Sequence, residues 1–287
     1  MLIERNHCCF CGSLNLIKIY SLNYQNNKLS NFINSYYNKR LPIKKIKNFK
    51  YNLLKCLQCS GIFQENIPNK NFMFDLYEKY ISNKESLKKK ENLYTKDLKK
   101  YFTEAQLIEK IFNKKPKDIS ILEFGAGWGF WARFMKSLNF NIECFEISKK
   151  RITYMKKNKI YVVKNIKKIN KKFDFIYSDQ TIEHIPNPKE IFKIFSKLLK
   201  KNGYILLGFP SSFLFEYKLN KNYIPKKDCA HPLEHINLIN RKCLNFMIKG
   251  TSLKIINFKS ILNFSIKNII SDLKNLLFFS NVLLKKY

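Results

Sequence analysis

The stretch Ile121-Leu122-Glu123-Phe124-Gly125-Ala126-Gly127-Trp128-Gly129 decides the fold of this 287-residue chain. Residues 119–124 are a short apolar run, three glycines then alternate with single residues, and a helical pattern opens over 130–138. Glycine lets the backbone turn sharply and approach a ligand closely. The start of the helix adds backbone N–H groups with no partner inside the helix. Working outward, apolar runs at 142–147, 160–163, 173–178, 204–209 and 253–258 read as strands, and residues 149–157, 190–200 and 241–249 read as helices. Strands that alternate with helices predict an α/β domain, a doubly wound parallel sheet covered on both faces.

Two acids give the glycine turn its chemistry. Glu146 stands 21 residues after Gly125, at the end of the second strand, where a carboxylate can accept hydrogen bonds from both ribose hydroxyls of a nucleoside. The spacing is G-x-G-x-G, not the G-x-G-x-x-G of dinucleotide enzymes. Glu123 precedes the first glycine by two positions. A pyrophosphate would be repelled by that charge, whereas the ammonium group of an amino acid would be attracted. S-adenosylmethionine (SAM) is therefore expected over NAD, held by Glu123, Gly125, Ala126, Gly127 and Glu146.

With these motifs in place, residues 119–258 resemble a class I SAM-dependent methyltransferase. Residues 121–129 are similar to the family's first motif and Glu146 to its ribose-binding acid. The segment Phe173-Asp174-Phe175-Ile176-Tyr177-Ser178-Asp179-Gln180-Thr181-Ile182-Glu183-His184-Ile185-Pro186-Asn187-Pro188 resembles its fourth-strand motif. Residues 198–207 resemble the helix, glycine turn and fifth strand that follow. His235-Ile236-Asn237-Leu238-Ile239 resembles a late histidine segment of the small-molecule branch. The resemblance implies a Rossmann-like sheet and implies that Ser178, Asp179 and Gln180 line the methionine end of the cofactor.

Cys8-x2-Cys11 and Cys56-x2-Cys59 form two knuckles, enough thiolates for a closed, structural zinc site. Their 44-residue spacer exceeds that of an ordinary zinc ribbon. Paired knuckles ahead of this fold resemble the N-terminal zinc module of sugar and small-molecule methyltransferases, which implies a sugar-type acceptor, nucleotide-linked or part of a surface polysaccharide. The sugar C-methyltransferases of that group carry a further C-terminal domain. The present sequence stops soon after the core, so transfer to oxygen is expected at least as much as transfer to carbon.

A hydroxyl acceptor must lose a proton, and His184, His231 and His235 are the candidate bases. The net charge of +33 invites a nucleic-acid partner. Only five of the 54 basic residues are arginine, however, and the lysines spread along the chain, a pattern of coding bias more than of an RNA footprint. An RNA methyltransferase and a non-catalytic cofactor-binding scaffold stand as the rival readings. With no run of 18 apolar residues and no secretory leader pattern, a cytoplasmic protein is expected. The apolar and lysine-punctuated tail could touch the inner face of the membrane. The expected organisation is a zinc-binding module over 1–70, a helical linker or cap over 71–118, the methyltransferase domain over 119–266 and a C-terminal helix over 267–287.

Overall fold

A computed structural model of the chain describes residues 1–163, 165–212, 214–219, 222–256 and 282–287. The strands are β1 (Leu2–Glu4), β2 (Leu16–Asn23), β3 (Lys50–Cys56), β4 (Ile62–Gln64), β5 (Asn66–Pro68), β6 (Ser120–Phe124), β7 (Asn141–Phe145), β8 (Val162–Val163), β9 (Phe173–Asp179), β10 (Leu199–Gly208), β11 (Asn237–Leu238), β12 (Leu253–Ile256) and β13 (Val282–Lys286). The main helices are α1 (Asn27–Tyr36), α2 (Lys70–Asp75), α3 (Asn83–Phe112), α4 (Phe130–Ser137), α5 (Lys149–Lys157), α6 (Pro188–Leu198), α7 (Phe215–Lys218) and α8 (Arg241–Ile248). They divide between two units, one of Met1–Ser82, Ile182–Phe192 and Phe209–Lys249, the other of Asn83–Thr181, Lys193–Gly208 and Gly250–Tyr287. The units are interleaved in sequence, so the consecutive boundaries expected from composition give way to three segments each.

In the first unit the strand order is β11-β4-β3-β2, all antiparallel, beside a separate β1-β5 pair. The long spacer between the cysteine knuckles is thus a folded β2–α1–β3 excursion. Asn26 caps α1 by accepting from the Lys28 N–H, and Leu29 and Ile33 go into the core. That core also takes in Tyr24, Tyr37, Tyr51, Leu53, Leu233, Ile236 and Leu238. The late segment is held in the unit by buried Arg5. Its guanidinium donates to the carbonyls of Gln64 (2.6 and 2.9 Å) and Ile236 (2.7 Å) and to Asn237 Oδ1 (2.9 Å).

The second unit is built on a sheet of order β12-β13-β10-β9-β6-β7-β8. The strands from β10 to β8 are parallel, and β13 runs antiparallel between β10 and β12. This is the expected doubly wound α/β sheet with an antiparallel edge, and β6 is the middle one of its five parallel strands. Ser148 caps α5 by accepting from Arg151 N–H. The core gathers Ile119, Ile121, Trp131, Ala132, Met135, Cys144, Phe175, Tyr177 and Leu206.

One element departs from expectation. Val282–Lys286, assigned above to a C-terminal helix, is strand β13. Its two consecutive leucines, Leu283 and Leu284, are both buried because an interior strand is covered on both faces. The rest of the expected helix, residues 267–281, lies outside the described residues, and with it the proposed membrane contact. Among the described residues no helix is long and apolar enough to cross a membrane.

Candidate functional site

In the second unit the carboxyl end of β6 runs straight into the glycine turn. Gly125, Gly127 and Gly129 all take left-handed φ values of 77°, 58° and 72°, which side chains resist. At Gly125 space forbids substitution as well, since a Cβ would sit 2.2 Å from Thr181 Oγ1. The turn is anchored on β7, with Gly125 and Ala126 N–H groups donating to the Phe145 carbonyl (2.8 and 3.1 Å). Glu146 then closes it. Its Oε2 accepts from Gly127 N–H (2.8 Å), and its Oε1 accepts from Ile147 and Ser148 N–H (2.8 and 2.9 Å).

The turn opens onto a cavity of 220 Å3. Of the expected cofactor residues, Glu123, Gly125, Ala126, Gly127, Asp179 and Gln180 line it. Glu146 is buried behind the turn, and Ser178 is fully buried, its Oγ without a hydrogen-bond partner among the described residues. Ser86, Lys90, Tyr101, Trp128, Phe130, Trp131, Arg151 and Tyr177 complete the wall. Of these, Trp128 carried a sequence signal, since it stands inside the glycine motif. Phe130 and Trp131 follow that motif in α4 and Tyr177 lies on β9, where aromatic residues read as ordinary packing, and Ser86, Lys90, Tyr101 and Arg151 come from α3 and α5.

Burial controls the acids around this cavity. It pushes the Glu123 carboxyl up to about 8, against the opposing effect of the Cys144 thiol that donates to its Oε2 (3.5 Å). Glu104, which the sequence reading missed, rises to about 7 for the same reason, partly offset by Lys100. Glu104 fixes two lining aromatics by accepting from Trp131 Nε1 (2.9 Å) and from Tyr177 OH (3.3 Å). Those two rings stack with centroids 3.9 Å apart. Lys100 bridges Glu104 (3.8 Å) and Asp179 (2.8 Å). The cavity thus offers carboxylates at one side and the cations Lys90 and Arg151 elsewhere on its wall.

The first unit carries two further constellations. The ligand atoms of Cys8, Cys11, Cys56 and Cys59 all lie within 4.8 Å of one another. The two knuckles share one geometry. In each, the residue after the second cysteine has positive φ (Gly12 and Ser60), and its N–H returns to the carbonyl of the first cysteine at 2.8 Å. The N–H of that first cysteine donates in turn to Ser13 or Gly61, at 2.9 Å in both. Pairing of Leu16 with Cys56 across β2 and β3 brings the knuckles together. Sulfur pairs at 3.5 Å (Cys8–Cys59 and Cys11–Cys56) fit a tetrahedral zinc, whose ~2.3 Å bonds place thiolates about 3.8 Å apart. A hydrogen bond from Cys59 brings the Cys8 thiol down to about 5, despite burial. Cys9 turns away to Asn237 (3.3 Å), and His7 is exposed against Asn6.

The three candidate histidines also lie in the first unit. The ring of His235 packs 5.0 Å from that of His184 and 5.6 Å from that of His231. His184 Nδ1 donates to the Glu234 carbonyl (2.8 Å) and His235 Nδ1 to that of Asp228 (2.5 Å). A carbonyl only accepts, so Nδ1 carries a proton in both rings, and a ring that is neutral keeps its lone pair on Nε2. Burial holds His235 down at about 4 and His231 well below the usual histidine range, so both are neutral at physiological pH. Neither ring nitrogen of His231 has a hydrogen-bond partner among the described residues. The segment is set by Gln64, fully buried, which donates to the carbonyls of His231 (2.9 Å) and His235 (3.0 Å) and accepts from Leu233 N–H (3.1 Å). Asn237 Nδ2 ties it to the Ile185 carbonyl at 2.7 Å. Tyr77 stands edge-on 6.2 Å from His184, and Tyr80 packs on Phe72.

A family model for a methyltransferase domain matches residues 94–257. A ubiquinone biosynthesis O-methyltransferase of Pelagibacter ubique is 32% identical over 114 residues, covering 37% of this chain and 48% of that protein. A malonyl-(acyl-carrier protein) O-methyltransferase of Ilyobacter polytropus is 33% identical over 110 residues, 35% of this chain and 40% of that protein. The chain spans about half the length, or less, of these curated relatives. Among solved structures, the plantazolicin methyltransferase BpumL in complex with S-adenosylhomocysteine (SAH) superimposes with a TM-score of 0.52 at 13% identity, covering 75% of this chain and 93% of that one. At that identity the likeness speaks for the fold.

Proposed function

The chain belongs to the methyltransferase-domain family, as a class I SAM-dependent methyltransferase, and from that premise we propose that it methylates a hydroxyl of a small, sugar-type acceptor. The observation that carries the cofactor part is the Glu146–Gly127 closure. It holds a carboxylate at the end of the second strand beside a glycine turn that faces a cavity. SAM, when bound, supplies a methyl group activated by its sulfonium. Glu123 and Asp179 would hold its ammonium, and Glu146 its ribose hydroxyls, at the cost of a hydrogen bond to the turn. The glycines admit the cofactor against backbone.

Transfer is an in-line displacement in which positioning supplies much of the rate. The acceptor oxygen gives its lone pair to the methyl carbon as the carbon–sulfur bond breaks, and the hydroxyl proton must leave. His184 and His235 suit that task, since with Nδ1 spent on a carbonyl the neutral ring of each would present the Nε2 lone pair. His231, buried and without such an anchor, is the weaker candidate. The four cysteines would hold a structural zinc, since four thiolates leave no open position. The two relatives, both O-methyltransferases by name, support transfer to an oxygen acceptor.

Calorimetric titration with SAM and SAH tests this. Binding in the micromolar range is expected, and Glu146→Ala should weaken it about a hundredfold, the loss of roughly 3 kcal/mol of charge-assisted hydrogen bonding to the ribose. Equal affinity in the variant would remove Glu146 from the site. Methyl transfer from labelled SAM to a panel of nucleotide sugars and glycans then identifies the acceptor.

A further inference from the structure

We propose that Asn237 and Asn240 are positioning residues, through which the two cysteine knuckles fix where His184 and His235 stand. The late segment that carries His235 is bonded to each knuckle. At the first, the Cys9 thiol, flanked by Cys8 and Cys11, donates to Asn237 Oδ1 (3.3 Å). At the second, Asn240 Nδ2 donates to the carbonyl of Ser60 (2.6 Å), the residue after Cys59. Ser60 is the left-handed residue whose N–H closes that knuckle onto the Cys56 carbonyl. One residue therefore serves the knuckle through its N–H and the late segment through its carbonyl.

The grip passes on to the histidines. Asn237 is 1% exposed and uses both ends of its amide. Its Oδ1 also accepts from Arg5 Nη1 (2.9 Å), and its Nδ2 donates to the carbonyls of Ile185 (2.7 Å) and Ile182 (3.5 Å). Those two carbonyls bracket His184, which ends a single 3-10 turn, Ile182–His184. One turn has little cohesion of its own, so its place is set by what its carbonyls bond to. Asn240 is fixed at both ends too, because its Oδ1 caps α8 by accepting from Cys243 N–H (2.9 Å). A buried amide left without a partner is costly, so each asparagine follows the knuckle it is bonded to.

The knuckles are the part of this chain of contacts that can change state. A zinc ion on Cys8, Cys11, Cys56 and Cys59 would tie both knuckles into one rigid body, with Cys9 and Ser60 held at fixed distance from the asparagines. Without it, the sulfur contacts of 3.5 Å that join the knuckles are weak. Metal occupancy is thereby coupled to the imidazoles and not to the cofactor cavity, whose lining residues all belong to the second unit. The chemical consequence rests on the reading of His184 and His235 as the groups that take the acceptor's proton. Zinc-depleted protein should bind SAH normally and transfer methyl slowly.

Hydrogen exchange of the full-length, zinc-loaded protein, read peptide by peptide by mass spectrometry, tests the coupling. Cys9→Ala removes the donor to Asn237 and leaves the four candidate ligands in place. Exchange over residues 182–186 should quicken at least tenfold, while α1 stays within twofold of wild type, zinc content is unchanged and SAH affinity is unchanged. Cys9→Ser keeps a donor and should restore the protection. Asn240→Ser keeps a helix cap, loses the donor to Ser60, and should quicken exchange over 235–240. Stripping zinc from the wild-type protein with a chelator should quicken both stretches more than α1. Unaltered exchange over 182–186 in folded Cys9→Ala overturns the coupling. So does zinc removal that leaves both stretches unaltered or accelerates the first unit evenly, which would assign the metal to folding alone. A wild-type chain that takes up no zinc overturns it as well, and these wild-type results decide by themselves should the variants not fold. If exchange behaves as expected but His184→Ala and His235→Ala retain full methyl transfer from labelled SAM, the coupling stands and the assignment of the bases falls.

Discussion

Glu123 offers a sharp test of how the cofactor cavity works. Its carboxyl lies near 8 in the folded chain against 4.5 when exposed, because burial disfavours the charge. Between those values the folded state binds more protons than the unfolded one. Stability from this group is therefore full below pH 4.5 and is lost as pH rises towards 8. At ~1.4 kcal/mol per unit, the gap sets a ceiling of about 5 kcal/mol, and relaxation around a buried charge brings the working figure to roughly 2–4 kcal/mol. Glu123→Gln cannot ionise. The variant should melt slightly below wild type at pH 5, where it trades one neutral group for another, and above it at pH 8. Urea unfolding of the cofactor-free, zinc-loaded pair at pH 5, 6, 7 and 8 reads the difference. Common contributions from cysteine and histidine cancel in the comparison. The same group predicts the linkage to ligand. A cationic ammonium requires ionised Glu123, so SAH binding at pH 7 should release close to one proton. Calorimetry in buffers of different ionisation enthalpy counts that proton, and the Gln variant should release none. Parallel stability profiles for the two proteins would refute the reasoning outright.

Two other perturbations address the first unit. Cys11→Ser should lower bound zinc from one ion per chain to near zero by elemental analysis, and the melting transition of the unit should become sensitive to chelator, because zinc affinity is folding free energy in a module of this kind. Gln64→Ala should cost roughly 2–4 kcal/mol in urea unfolding, since it strips partners from two buried carbonyls and one N–H. Its SAH affinity should stay at the wild-type value while KM for the acceptor rises, and a fall in SAH affinity instead would show that Gln64 does not act on the histidine segment alone.

Much of this was legible in the chain, for identifiable reasons. Residues 121–129 compress a buried strand, a glycine turn and a helix start into nine positions, and each part has a local signature. The knuckles were legible because cysteine pairs in a reduced chain have few other uses. Glu104 was not legible. It sits on a lysine-rich helix where a glutamate reads as solvated surface, yet it is buried against Trp131 and Tyr177, and only the fold brings residues 104, 131 and 177 together. Strand β13 was misread because an interior strand loses the in–out alternation that would distinguish it from a helix: adjacent Leu283 and Leu284 are both wanted inside.

The two units interleave in sequence for a different physical reason. Composition shifts mark where local structure changes, whereas a unit is defined by what its buried polar groups bond to. Arg5 is the instructive case. A guanidinium in the core is tolerable only if its donors are met, and the acceptors that meet them are the carbonyls of Gln64 and Ile236 and the side chain of Asn237. Those bonds, with β11 paired to β4, fasten residues some 230 positions downstream to the first few of the chain. The same residues then do a second job. Gln64 reaches from its own strand to the His231 and His235 carbonyls, and Asn237 reaches to Ile185 beside His184. The polar network that makes the first unit one body is therefore also the one that fixes where the imidazoles point. A substitution in it should disturb acceptor chemistry before it disturbs cofactor binding, whereas the acids of the glycine turn should show the reverse order.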